Sequence, residues 1–226
     1  MKPKTNPLLD APLDNIVVDH KAIQAPTTVA IPRSQKTKRE LLKLFRQESA
    51  TVAVERFTQD VDVFGVTKGQ FSLIDLIQAV VAKTGPADLV VSTWTAATAD
   101  VKSCLEFMQA GQLTGARFLI DFSFQRRQPA VAQAIRDTFG HNSLRVTQNH
   151  AKFFMLNAPG WTVTCKTSMN LNQNPRLEDF DLSNDPALNA FLLELVGDLF
   201  KRMKAPPAGE LRPGWAAGGE FERATA

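Results

Sequence analysis

His150 and Lys152 stand two residues apart, and Ser168 and Asn170 stand two residues apart further on, with Ser168 sixteen positions beyond the lysine. On extended backbone, side chains two apart point to the same face. Such a pair sets an imidazole beside an ammonium group, and a second extended segment can bring a hydroxyl and an amide to the same spot. These groups suit chemistry at a phosphodiester. The imidazole serves as nucleophile, while the ammonium and the neutral donors surround the phosphoryl oxygens. The same residues could instead be a surface histidine beside a lysine, with Ser168 and Asn170 closing an ordinary turn.

The stretch from Asn149 to Asp181 resembles the HKD motif of the phospholipase D superfamily, His-x-Lys-x4-Asp followed by Gly-Ser-x-Asn. His150 and Lys152 match the first two positions, and Ser168 and Asn170 match Ser-x-Asn. Asn157 falls where the family has aspartate, Thr167 replaces the preceding glycine, and Glu178 lies where many relatives carry a glutamate. The run from Ser168 to Asp181 looks like small single-motif members encoded by phages and prophages.

The resemblance implies a metal-independent phosphodiesterase without cofactor, in which one histidine forms a phosphohistidine and a second protonates the leaving oxygen. Imidazoles titrate near neutrality, so one can be neutral while its neighbour is protonated. The mechanism takes two motifs and this chain has one, since neither His20 nor His141 begins a His-x-Lys. The resemblance therefore implies a homodimer with the site on its two-fold axis. The departures at Asn157 and Thr167 leave a second reading open: a nucleic-acid-binding protein without turnover, regulatory or accessory in role. A lipid phosphodiesterase is a third.

The elements that must position these groups alternate strand and helix. Strands are expected at Val61–Val66, Ala87–Ser92, Ala116–Phe122, Leu144–Val146, Lys152–Leu156, Trp161–Thr167 and Glu178–Leu182, and helices at Ser72–Lys83, Thr98–Ala110, Pro129–Phe139 and Pro186–Met203. Ser72 and Asp75 read as a cap, and Gly111 and Gly140 as stops. A further helix is expected at Lys36–Gln47, its apolar stripe of Leu41, Leu42, Leu44 and Phe45 ringed by basic residues. That helix would either dock with a solvated basic face or touch phosphate. The alternation predicts an α/β fold, an α/β/α sandwich on a mixed, mostly parallel sheet with sites at the strand ends. The resemblance implies the same sandwich, as a phospholipase D-like half-unit. Residues 1–35 read as an extended arm, 36–205 as the domain, and 206–226 as a flexible tail.

Composition narrows the function classes. A net charge of +3 permits nucleic-acid binding without demanding it. The chain has no tyrosine, which excludes a tyrosine nucleophile. Its two cysteines, Cys104 and Cys165, lack zinc-site spacing, so no metal is expected. No apolar run is long enough for a membrane span and the first residues lack a signal-peptide core, so the expected location is cytoplasmic. The expected partner is DNA or RNA, held by a basic rim of Arg126, Arg127, Arg145, Lys166 and Arg176. Each of these has an ordinary alternative as a solvated or ion-paired side chain. Trp94, after a strand end, would either pack or stack a base.

Overall fold

Short polar signals punctuate an apolar chain and set most of the elements. Ser72 and Asp75 form a reciprocal capping box that opens a twelve-residue helix, with Ser72 Oγ accepting from Asp75 N and the Asp75 carboxylate accepting from Ser72 N. Asp185 accepts from Ala187 N and Leu188 N to open the last helix, with Pro186 in its first turn. The computed structural model describes residues 38–45, 49–96 and 98–203. The expected arm over 1–35 and tail over 206–226 lie outside them.

In chain order the elements are β1 (Lys38–Leu44), α1 (Ala50–Glu55), β2 (Val61–Thr67), α2 (Leu73–Thr84), β3 (Ala87–Thr93), α3 (Thr98–Gln109), β4 (Leu113–Asp121), α4 (Phe122–Arg127), α5 (Pro129–Phe139), a 3-10 turn at His141–Ser143, β5 (Leu144–Thr147), β6 (Phe153–Ala158), β7 (Trp161–Thr167), β8 (Glu178–Asn184) and α6 (Pro186–Arg202). The strands form one eight-stranded sheet in the order β1-β2-β8-β7-β6-β3-β4-β5. Helices α1 to α5 cover one face, where Phe57, Leu76, Ile77, Phe118, Phe124, Ile135, Phe154 and Phe180 make the main core. Helix α6 covers part of the other face, where Val196 packs with Val90, Phe153 and Met155. The fold is thus the α/β sandwich that the alternation predicts, with very unequal helical layers.

Two expectations are corrected by the sheet. The ladders β1–β2, β3–β4 and β4–β5 are parallel, whereas β2–β8, β8–β7, β7–β6 and β6–β3 are antiparallel. The sheet is mixed but its pairings are not mostly parallel. Six strands still run one way; β6 and β8 run against them from interior positions, so two reversed strands make four antiparallel ladders. The expected helix at Lys36–Gln47 is also wrong over its described part, which is the edge strand β1, paired along its length with β2. Leu42 and Leu44 turn toward the main core while Leu41 is 73% exposed, a period of two that the adjacent leucines disguise as a helical stripe.

A smaller difference lies at Phe122, which opens helix α4 instead of ending a strand. The Asp121 carboxylate accepts from both Ser123 N and Ser123 Oγ, and this cap turns the chain into a helix at that point.

Candidate functional site

The co-directional strands β2, β3, β4 and β7 end at one edge of the sheet, and the reversed strands β6 and β8 begin there. His150, Lys152, Ser168 and Glu178 therefore share that edge, the position at which α/β sheets commonly carry ligands. Lys152 lies opposite Thr167, one step before the Phe153–Lys166 pair, and Thr167 N donates to Lys152 O at 3.1 Å. Glu178 occupies the same sheet face, two residues before the core residue Phe180.

The central pair is close. Lys152 Nζ lies 3.5 Å from His150 Nε2 and donates to His150 O at 3.2 Å. His150 is exposed and Lys152 half-buried. Partial burial lowers the Lys152 pKa, and the Glu178 carboxylate opposes that shift by favouring the ammonium form. Glu178 also accepts from Ser168 Oγ. Ser168 is fixed twice more, its amide donating to Asp179 and its hydroxyl accepting from Asp179 N at 2.9 Å. Thr167 is part of the turn. Its hydroxyl donates to Asp179 O and accepts from Met169 N at 2.9 Å. Asn170 and Glu178 line one small cavity, where Asn170 Oδ1 is buried without a hydrogen-bond partner. The loop from Asn170 to Leu177 closes over Gly69, whose φ of 76° and bare Cα permit it. A Cβ there would fall 2.2 Å from Asn174 O.

Sequence reasoning missed the residues that hold His150 in place. Asn149 is buried. Its Nδ2 donates to Ser92 Oγ at 2.9 Å and to Leu119 O at 3.2 Å, with a longer approach to Thr93 O at 3.4 Å. Its Oδ1 accepts from Ala151 N at 3.1 Å, and its own amide donates to Asp121 Oδ2 at 3.0 Å. Ser92 Oγ donates in turn to Ala151 O at 2.8 Å. One amide side chain thus ties the segment carrying the imidazole to the ends of β3 and β4. The only local signals were polar residues closing apolar strand runs, Ser92-Thr93 and Asp121.

Other expected site residues are placed elsewhere. Asn157 lies five residues along β6 from Lys152, opposite Asp88 and Thr162 and about 16 Å away at the usual strand rise. It belongs to the far end of the sheet and does not meet the imidazole. Arg145 is corrected from the basic rim to the interior. It is 8% exposed, donates to Phe200 O, Asn142 O and Leu144 O, and sits 4.7 Å over the Phe200 ring, which anchors the end of α6. Burial lowers its pKa as well. Lys166 points to the opposite face from Lys152, by strand alternation, and pairs with Asp181 at 3.3 Å. Arg176 is exposed on the loop leading to Glu178. Arg126 and Arg127 end α4, and their side chains lie outside the described ones.

Among the described residues, no three His, Cys, Asp or Glu side chains gather as a metal site would require. Among them also, no helix is long and apolar enough to cross a membrane.

No family model matches the sequence, and no curated protein matches it. Two solved structures show a similar course of the chain. Polyphosphate kinase from Porphyromonas gingivalis aligns with a TM-score of 0.48 at 9% identity, covering 66% of this chain and 28% of that one. Nuc from Salmonella typhimurium, a phospholipase D family member, aligns with a TM-score of 0.43 at 16% identity, covering 63% of this chain and 95% of that one. The chain spans less than a third of the kinase and nearly all of Nuc.

Proposed function

We propose that the chain is one half of a metal-independent phosphodiesterase acting on DNA or RNA, with a catalytic centre completed by a second copy. The observation that carries this reading is the approach of His150 Nε2 and Lys152 Nζ to 3.5 Å on the open edge of the sheet, with Ser168 and Glu178 beside them. The pair supplies a nucleophile and a cation, and the other strand ends supply hydrogen-bonding groups and a counter-charge.

The reaction takes two steps. Neutral His150 of one copy attacks phosphorus; a P–N bond forms and the P–O bond to the leaving strand breaks. Protonated His150 of the second copy gives its proton to the leaving oxygen. That second imidazole, now neutral, takes a proton from water, whose oxygen attacks phosphorus and breaks the P–N bond. The Lys152 ammonium groups stabilise the charge on the phosphoryl oxygens throughout. The Glu178 carboxylate favours the ammonium form of Lys152 and so opposes the lowering of its pKa by partial burial.

The test is cleavage of single- and double-stranded DNA and RNA in excess EDTA, by the wild-type protein and by His150→Ala and Lys152→Ala. The expected result is cleavage by the wild type only, with an acid-labile phosphorylated protein trapped on rapid quenching. Strict dependence on a divalent ion, or salt-sensitive binding by the wild type with no turnover, overturns it. The second of these outcomes would make the site a phosphate cradle.

A further inference from the structure

Three asparagines alternate along the loop between β7 and β8: Asn170, Asn172 and Asn174. Asn170 Oδ1 and Asn172 Oδ1 are both buried without a hydrogen-bond partner among the described residues. Leaving one buried amide oxygen unpaired is costly, so two in one loop point to a ligand. The two residues line a single cavity of about 10 Å³ with Thr67, Gly69, Asn174 and Glu178, which is room for one water-sized body. The loop is tied down over this cavity. Gln173 Nε2 donates to Gly69 O at 2.7 Å, and Asn174 O lies against the bare Cα of Gly69.

The chemistry of the lining decides what that body is. Asn170 and Asn172 bring amide oxygens, Glu178 brings a carboxylate, and the Thr67 hydroxyl spends its proton on Gln70 Oε1. The neighbouring Met169 amide is committed to Thr167 Oγ1. A water molecule has only two protons to give, fewer than these acceptors require. A hard cation is attracted by every one of the oxygens. One carboxylate among neutral groups balances a single positive charge. A divalent ion would leave an excess buried near Lys152, whose ammonium already feels the Glu178 charge.

We propose that this cavity binds one partly dehydrated monovalent cation, held by Asn170, Asn172 and Glu178. On the phosphodiesterase reading above, on which this second part rests, the ion positions Asn170. With Oδ1 held in the cavity, the other end of the amide, Nδ2, is left to donate to a phosphoryl oxygen. The ion touches no reacting atom, so the two steps of the reaction stand as written.

The experiment measures the melting temperature of the full chain in KCl, NaCl and choline chloride at one ionic strength, with and without EDTA. Choline is too large for the cavity. An alkali salt should raise the melting temperature above that in choline, saturably, by about 3–6 °C at tenfold over its Kd. Asn172→Leu should lose that difference. Asn172→Asp, which keeps the size and adds a charge, should reach half of the effect at a lower alkali concentration, and decides the matter if the leucine variant does not fold. Equal wild-type melting temperatures in all three salts overturn the proposal, and leave the cavity to a water or to amide nitrogens turned toward Glu178. A melting temperature that falls when EDTA is added also overturns it, because the ion would then be divalent. Cleavage of a single-stranded oligonucleotide is compared in the same salts with EDTA present. The stabilising alkali salt should raise kcat/KM for the wild type and not for Asn172→Leu; an unresponsive kcat/KM beside a responsive melting temperature overturns the role given to Asn170. If no strand is cleaved, the phosphodiesterase reading fails by itself, and the melting temperatures still decide whether the cation binds.

Discussion

Replacing Asn149 with alanine tests whether the imidazole is held by the frame described above. The substitution removes three hydrogen bonds of ordinary length: to Ser92 Oγ at 2.9 Å, to Leu119 O at 3.2 Å and from Ala151 N at 3.1 Å. The 3.4 Å approach to Thr93 O is long and adds little. At about 1 kcal/mol net for each bond, the expected loss of stability is about 3 kcal/mol. The backbone bond from residue 149 to Asp121 survives, so the segment should loosen without leaving the sheet. Urea unfolding followed by far-UV circular dichroism should show a midpoint lower by about 1.5 M, for a slope of about 2 kcal/mol per molar. Turnover should fall about a hundredfold at temperatures where the variant is folded, the effect expected when a reacting group drifts by about 1 Å. An unchanged midpoint refutes the ledger. A lower midpoint with full activity refutes the claim that Asn149 positions His150.

Three other outcomes follow from particular contacts. Glu178→Gln removes the charge that opposes the lowering of the Lys152 pKa, so that pKa should fall further and the alkaline limb of the kcat/KM profile should move to lower pH. A base with a depressed folded-state pKa destabilises the protein while protonated, so this variant's stability deficit should narrow as pH rises through the lysine range. An unmoved limb in the pH–rate profile contradicts the coupling. Gly65→Ala would place a Cβ 2.3 Å from Phe180 Cζ, and should cost about 1–3 kcal/mol in urea unfolding. Phe180→Leu added to it should cost less than the two single changes together; additivity would show that the clash is not the cause. Cys104 and Cys165 are both buried thiols outside any disulfide, and burial pushes the Cys165 thiol far up. An aryl disulfide reagent should titrate both only after denaturation, and prompt reaction of the native protein would contradict the packing.

Much of the fold was legible because its signals are local. Pro129 at a helix start and Gly140 past its end bound α5 as expected, and the run Asp88-Leu-Val-Val-Ser92 is the buried strand β3. The edge strand β1 was not legible. Its leucines satisfy a helical and an alternating pattern equally, and only pairing with β2 decides between them. The capped helix α4 hid for a similar reason, since Phe-Ser-Phe continues an apolar strand until the Asp121 carboxylate turns it. Within the site, spacing paired His150 with Lys152 and Ser168 with Asn170, while Glu178 entered only through the resemblance. The frame behind them could not be read, because Asn149 and Ser92 are 57 residues apart in sequence and meet only through the sheet. Arg145 shows the converse. Its charge reads as surface, yet three backbone carbonyls and the Phe200 ring take it inside.

A centre shared by two copies has an electrostatic consequence that can be measured directly. In the proposed dimer each copy would bring a Lys152 ammonium, partly desolvated already, toward the axis, so the unliganded pair would work against itself. Two like charges about 8 Å apart at an effective dielectric constant of 20 repel by about 2 kcal/mol, roughly a thirtyfold weakening of the dimer. A phosphate ion between them reverses the sign of that contribution and, by linkage, should draw the copies together. Sedimentation at constant ionic strength should therefore show wild-type dimer that tightens with inorganic phosphate. Lys152→Met should dimerise more tightly than wild type without phosphate, and should gain little from its addition. A wild-type protein that stays monomeric at every concentration, with phosphate present, removes the shared centre. A dimer indifferent to both phosphate and Lys152 places the subunit contact away from this edge of the sheet, and leaves one imidazole to work without its counterpart.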